Sequence, residues 1–153
     1  MNLEEIQDIE NELIFHSFTH QDAWCIANMI LERVKKEKLR RIGIRVVLNG
    51  VLIFQYLMDG KEEDMWLKRK QHTVETFQHS SYYLYIDNQL SQSYQQYQED
   101  QRYAICGGGF PINIQGNIKG VFCVSGLAHD QDHQLIVEAF RTYLYQKSKE
   151  EHQ

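Results

Sequence analysis

An α+β domain built on a five-stranded, mainly antiparallel sheet is the fold class this chain predicts. Three observations carry the expectation. Asn49-Gly50 separates two β-branched runs, and Asn-Gly is the strongest short hairpin signal because both central residues of such a turn need positive φ. A second pair of apolar runs, Phe110 to Ile114 and Ile118 to Val124, flanks Gln115-Gly116-Asn117. Between and around these hairpins the apolar residues recur at helical spacing. At 153 residues the chain forms one domain, long enough to bury a proper core.

The elements follow in order. Residues 3 to 10 read as a short acidic helix, and Leu13 to Phe18 as a first strand. Thr19 and Asp22 have the spacing of a capping box, with Asp in the acidic role. Ala23, Ile26, Ala27, Ile30, Leu31 and Val34 then mark the buried stripe of a helix whose basic end, Arg33 to Lys38, suits the negative pole of the helix dipole. Ile42, Ile44 and Val46 alternate with Gly43, Arg45 and Val47, and Val51 to Leu57 completes the first hairpin. Glu62 to Phe77 returns to helical spacing, with Met65, Trp66, Val74 and Phe77 as packing residues. Tyr83, Ile86, Leu90, Tyr94 and Tyr97 fit a further helix, the second hairpin follows, and a last helix over about Asp130 to Lys147 turns Ile136, Ala139, Phe140 and Tyr143 inward. The order β-α-β-β-α-α-β-β-α, with two hairpins, requires helices over at least one sheet face. This is a profilin-like or PAS-like arrangement, not a doubly wound nucleotide fold.

Composition narrows the function. Sixteen basic against 21 acidic residues give a net charge of -5, which argues against a nucleic-acid partner, since that needs a basic face for phosphates. No apolar run approaches a membrane span, and the acidic start Met1-Asn2-Leu3-Glu4-Glu5 does not resemble a secretory signal. Cys25, Cys106 and Cys123 are odd in number and form no C-x-x-C pair, so they read as small buried hydrophobes in a reducing compartment, the cytoplasm.

Gly107-Gly108-Gly109, followed at once by Phe110 and the single proline, Pro111, is the most informative stretch. Three glycines in a row cost the most backbone entropy, so a fold uses them where φ must be positive or where something approaches the backbone closely. One reading is a nest of N–H groups for a carboxylate or propionate; the other is a tight turn between closely packed backbones. Lys68, Arg69 and Lys70 with His72 and His79 form a second candidate, a basic helical face for an acidic ligand that also reads as a solvated surface. His129 and His133 lie four apart, the spacing of a metal-binding pair but without a third ligand, and Asp130 and Asp132 equally suit a helix start. No metal site is therefore assigned. Tyr82, Tyr83 and Tyr85 suit an aromatic pocket or a subunit interface. No Ser-His-Asp order or zinc quartet stands out, so no catalytic residue is assigned; Cys106 alone is weak ground for a nucleophile.

Trp66-Leu67-Lys68-Arg69-Lys70, Phe77-Gln78-His79-Ser80-Ser81-Tyr82-Tyr83, Gly107-Gly108-Gly109-Phe110-Pro111-Ile112, Val124-Ser125-Gly126-Leu127 and Asp132-His133 occur in that order. Together they resemble the short cytosolic subgroup of the haem-degrading domain family, the group catalogued as uncharacterised protein family three hundred and three. The resemblance spans about residues 5 to 145. It implies a five-stranded antiparallel sheet with flanking helices, a homo-oligomer, and haem as the cofactor to consider. It also implies Trp66, Arg69, Lys70, His79, Gly107, Gly108, Gly109, Phe110 and His133 as ligand-binding residues. Where related chains carry an Asp-Asn pair after a Pro-rich turn, this one has Lys61-Glu62-Glu63-Asp64-Met65, a departure at the ligand-facing loop. Two functions follow: a binder of haem or a small acid, and a non-catalytic oligomeric interaction module. An enzyme using Cys106 or His79 is a third.

Overall fold

A helix opens the chain because Asn2 accepts the Glu5 N–H through its side chain at 2.8 Å, capping α1 (Leu3–Glu12). The computed structural model describes residues 1–151. After α1 come β1 (Ile14–Phe15), α2 (His20–Lys36), β2 (Gly43–Leu48), β3 (Val51–Leu57), α3 (Met65–Phe77), α4 (Ser81–Ser91), the single turn α5 (Gln95–Gln98), β4 (Gly109–Ile114), β5 (Asn117–Ser125) and α6 (His129–Glu151). The five strands form one sheet in the order β1-β4-β5-β2-β3. All neighbours are antiparallel except β1 and β4, so the sheet is mixed.

Both hairpins are two-residue turns with positive φ at each central residue: Asn49 and Gly50 in one, Gln115 and Gly116 in the other. The capping box at α2 forms as its sequence predicts, with Thr19 and Asp22 each serving the other's backbone N–H. Four expectations are corrected. The first strand is two residues long, not six, because Leu13 caps α1 and Thr19 already caps α2. Helix α3 starts at Met65 rather than Glu62, where the Asp64 carboxylate is engaged by Gln55 at 3.0 Å and Lys68 at 3.5 Å. The helix expected through Tyr97 breaks at Gln92, which has φ 59°. Met65 and Trp66 are exposed rather than packed.

The sheet is covered on both faces, unequally. Ile42, Ile44, Val46, Phe110, Ile112, Phe122 and Val124 meet α2 and α6 in the main core. Phe140 is its pivot, edge-on to Phe15, Phe110 and Phe122 at 5.1, 5.5 and 5.4 Å, each pair adding about 0.5–1.5 kcal/mol beyond simple burial. On the opposite face Leu67 and Val74 of α3 pack on Val121 and Cys123. Cys123 is buried, but Cys25 and Cys106 are only half-buried, contrary to expectation; all three thiols are free. Among the described residues no helix is long and apolar enough to cross a membrane.

Candidate functional site

The sequence-predicted residues divide among three places along α3. At its middle, Lys70 turns inward and is almost wholly buried, so it does not belong to a solvent-facing basic stripe. Its ammonium donates to the Val124 carbonyl at 2.9 Å and to Asp132 Oδ2 at 3.2 Å. Asp132 also accepts the N–H groups of Gly126 and Leu127, so one carboxylate ties β5, α6 and α3 together. Burial raises the Asp132 pKa, while the Lys70 charge and these hydrogen bonds pull it back.

Gly108 and Gly109 lie against Lys70, and Gly107 lies against His129 and Tyr82. A Cβ at Gly108, where φ is 125°, would overlap the Lys70 ammonium and the Val124 carbonyl; one at Gly107 would overlap the His129 carbonyl. One at Gly109 would sit 3.0 Å from the Lys70 carbonyl. Two of the three N–H groups are already spoken for, Gly107 donating to His129 Nδ1 at 2.9 Å and Gly109 to Ser81 Oγ at 2.9 Å. The geometry is therefore that of close packing, not of an open nest. Phe110 is fully buried beside them.

His133 is also buried, at 1% exposure, and neither ring nitrogen has a hydrogen-bond partner. It stacks on Tyr82 at 4.7 Å. Burial, with a smaller push from His129, lowers its pKa to about 4, so it is neutral near neutral pH. The neighbouring His129 accepts from Gly107 at Nδ1, which places its own proton on Nε2 and removes the lone pair a metal would need there. Among the described residues no three His, Cys, Asp or Glu side chains converge as a metal site. Cys106, whose pKa burial raises, is a protonated thiol with no activating base.

The ends of α3 hold the other two places. At the start, the Arg69 guanidinium lies 3.9 Å over the Trp66 ring and its Nε donates to the Tyr103 carbonyl at 2.7 Å. At the far end Gln78, with φ 61°, stops the helix, so His79 leaves the helical stripe that would have joined it to His72. His72 packs instead on Tyr103. Twelve residues of rise, roughly 18 Å along the helix axis, separate Trp66 from Gln78. His79 stacks face to face on Tyr83 at 3.8 Å, and its Nδ1 lies 3.0 Å from Glu10 Oε1. Glu10 Oε2 accepts from both the N–H and the hydroxyl of Ser80. With the carboxylate on Nδ1, that nitrogen carries a proton donated to Glu10 and Nε2 is the nitrogen Glu10 leaves unengaged; the side chain is 30% exposed. Glu10, the residue that orients this histidine, was missed from sequence, because α1 lies 70 residues away and nothing local signals the contact.

The family model for haem-degrading protein HbpS-like matches residues 18–141. The chain is 33% identical over 144 residues to a UPF0303 protein of Psychromonas ingrahamii, spanning 90% of each. The solved structure of the Ybr137w protein superposes with a TM-score of 0.85 at 26% identity, covering 96% of this chain and 90% of that one. The PduOC:heme complex superposes at 0.66 with 16% identity, over 84% of this chain and 94% of the other, a likeness of fold alone. This chain belongs to the HbpS-like haem-degrading protein family, among its UPF0303 members.

Proposed function

We propose that this protein binds a planar ligand of the haem class, in the cytoplasm, on the face where α3 passes into α4, with His79 as the iron-facing residue. The observation that carries the reading is the imidazole itself: Nδ1 is held by Glu10, the ring plane is fixed by Tyr83, and Nε2 is the nitrogen Glu10 does not engage, on a side chain that is 30% exposed. A carboxylate behind a histidine in this way orients the ring and raises its basicity as a ligand. The haem-degrading family and the haem-bound relative of the same fold support haem as the ligand class. Phe77, Tyr94 and Tyr97 form an edge-to-face aromatic cluster at the same end of α3 and offer the apolar surface a porphyrin needs. When bound, the iron would supply one-electron redox chemistry.

The chain's own residues then have distinct tasks. Glu10 and Ser80 hold the imidazole and keep its proton on Nδ1. Lys70, Gly107 to Gly109, Phe110 and His133 act from behind: Ser81 on Gly109 and Tyr82 on His133 fix the first turn of α4, and with it His79. Trp66 stands at the opposite end of α3, while Arg69 is anchored on Tyr103, whose ring packs on Phe77 and Tyr97.

The test is a haemin titration of gel-filtered protein followed at the Soret band, with His79→Ala and His133→Ala alongside. A saturable shift near one haem per protomer, lost in His79→Ala, is the expected result. A linear rise, or a shift that survives in His79→Ala, overturns the assignment.

A second reading, a homo-oligomeric interaction module, is favoured by β3. It is an edge strand, and Val51, Leu52 and Tyr56 on it are exposed, with the exposed Trp24 of α2 beside it. Unpaired apolar edges attract a further strand. Light scattering decides: an oligomer that Leu52→Lys dissociates supports this surface, and a monomeric wild type removes it.

A further inference from the structure

Two adjoining cavities at the start of α3 play no part in the reading above. One, of about 590 Å³, is walled by Leu39, Arg40, Arg41, Gly60, Lys61 and Gly126. The other, of about 300 Å³, shares Gly60 and Lys61 with it and extends past Glu62 and Glu63 to Met65 and Trp66. The turn Gly60-Lys61 is thus the common wall of a single two-part cleft.

The first part is cationic. Arg40, Arg41 and Lys61 make no ion pair with a carboxylate among the described residues, although the chain carries a net charge of -5. Three such cations facing one hollow repel one another unless an anion joins them. The hollow is built around Arg41. A Cβ at Gly60, where φ is 96°, would overlap the Arg41 guanidinium, and a Cβ at Gly126, where φ is 147°, would overlap the Arg41 carbonyl. Both glycines make room for that residue, one for its side chain and the other for its backbone.

The second part is aromatic and acidic. Trp66 is 49% exposed, yet its ring is not loose: Arg69 covers one face at 3.9 Å and is itself anchored on the Tyr103 carbonyl. The indole therefore borders the cavity in a fixed orientation, with Met65 beside it as a pliant apolar neighbour. Glu62 and Glu63 can accept hydrogen bonds from an amino group on a ring stacked there.

We infer that this cleft binds a small phosphomonoester bearing an amino-substituted planar heteroaromatic ring. The phosphate lies among Arg40, Arg41 and Lys61, and the ring rests on Trp66 with its amino group toward Glu62 and Glu63. A dianionic phosphate matches three cations and the fork of a guanidinium better than a single carboxylate does.

The probe is AMP, read by tryptophan fluorescence in full-length Trp24→Phe protein, where Trp66 is the one remaining indole. The expected result is saturable quenching by AMP, binding of adenosine at least about tenfold weaker, and displacement of AMP by inorganic phosphate. Arg41→Gln and Lys61→Met, each checked for an unchanged melting temperature, weaken AMP by about tenfold, while Arg41→Lys retains part of the affinity. Three outcomes each overturn the inference: no saturable quenching, equal binding of adenosine and AMP, or AMP binding indifferent to both substitutions. Binding of para-aminobenzoate as tight as that of AMP overturns the choice of phosphate. The test contains no haem, so its outcome is independent of His79.

Discussion

His133 offers a sharp test of the buried centre, because its ring carries two polar nitrogens and no partner for either. The perturbation is His133→Leu, close in volume and without the nitrogens. Burial lowers the folded-state pKa from 6.5 to about 4. As pH falls, the unfolded chain therefore takes up this proton first, and stability present above about pH 6.5 is lost progressively toward pH 4. At about 1.4 kcal/mol per unit the whole loss is about 3 kcal/mol, of which about 2 kcal/mol has gone by pH 5. His129, whose pKa burial also lowers, contributes in the same direction and persists in the variant. The assay is urea unfolding followed by fluorescence at about pH 8 and about pH 5, for wild type and variant, comparing free energies at matched slopes. The wild type should lose about 2 kcal/mol more than His133→Leu between the two conditions. Parallel losses, agreeing within about 0.5 kcal/mol, would refute the reasoning, since they would mean the ring titrates normally in the fold.

Two further outcomes follow from the same centre. Lys70→Met strands Asp132 without its cation in a buried site and should cost about 3–5 kcal/mol, with Lys70→Met/Asp132→Asn less destabilised than the sum of the single changes; strict additivity in a thermal double-mutant cycle would sink the ion-pair account. Gly108→Ala meets both a positive φ and the Val124 carbonyl, so it should lower stability by more than about 1 kcal/mol in the same melts, whereas Gly116→Ala, with the same sign of φ but open space around it, should cost less.

Much of the fold was legible because its signals are local. Asn49-Gly50 announces a primed turn, Thr19 and Asp22 announce a helix start, and the stripe from Ala23 to Val34 announces a buried face. One helix end was not legible. Gln92 holds positive φ, a conformation usually signalled by Gly or Asn, so glutamine gave no warning that the helix expected through Tyr97 breaks there, whereas the end of α3 at Phe77 and the turn at Gln115 and Gly116 fall where the sequence places them. Lys70 misled in another way. It stands between Arg69 and Gln71 like any surface lysine, and only a carboxylate 62 residues downstream makes its burial tolerable. The glycine run carried the right alternatives, but choosing between them required knowing what lies within a Cβ radius of each. The cleft around Arg41 escaped notice because its walls come from loops near residues 40, 60 and 126.

The two-residue strand β1 has a consequence for how the chain is made. Ile14 pairs with Asn113 and Phe15 with Ile114, and the Gln115 side chain reaches back to the His16 carbonyl across 99 residues. On a ribosome adding about 5–20 residues per second, the amino-terminal segment emerges roughly 5–20 s before the strand it must join exists. During that interval α2 and the first hairpin, whose contacts are nearby in sequence, are free to form. Leu13, Phe15 and Phe18, all destined for the interior, wait exposed. The sheet is therefore sealed from its late end, and a nascent chain stalled before β4 would present those three side chains to any chaperone that recognises apolar segments.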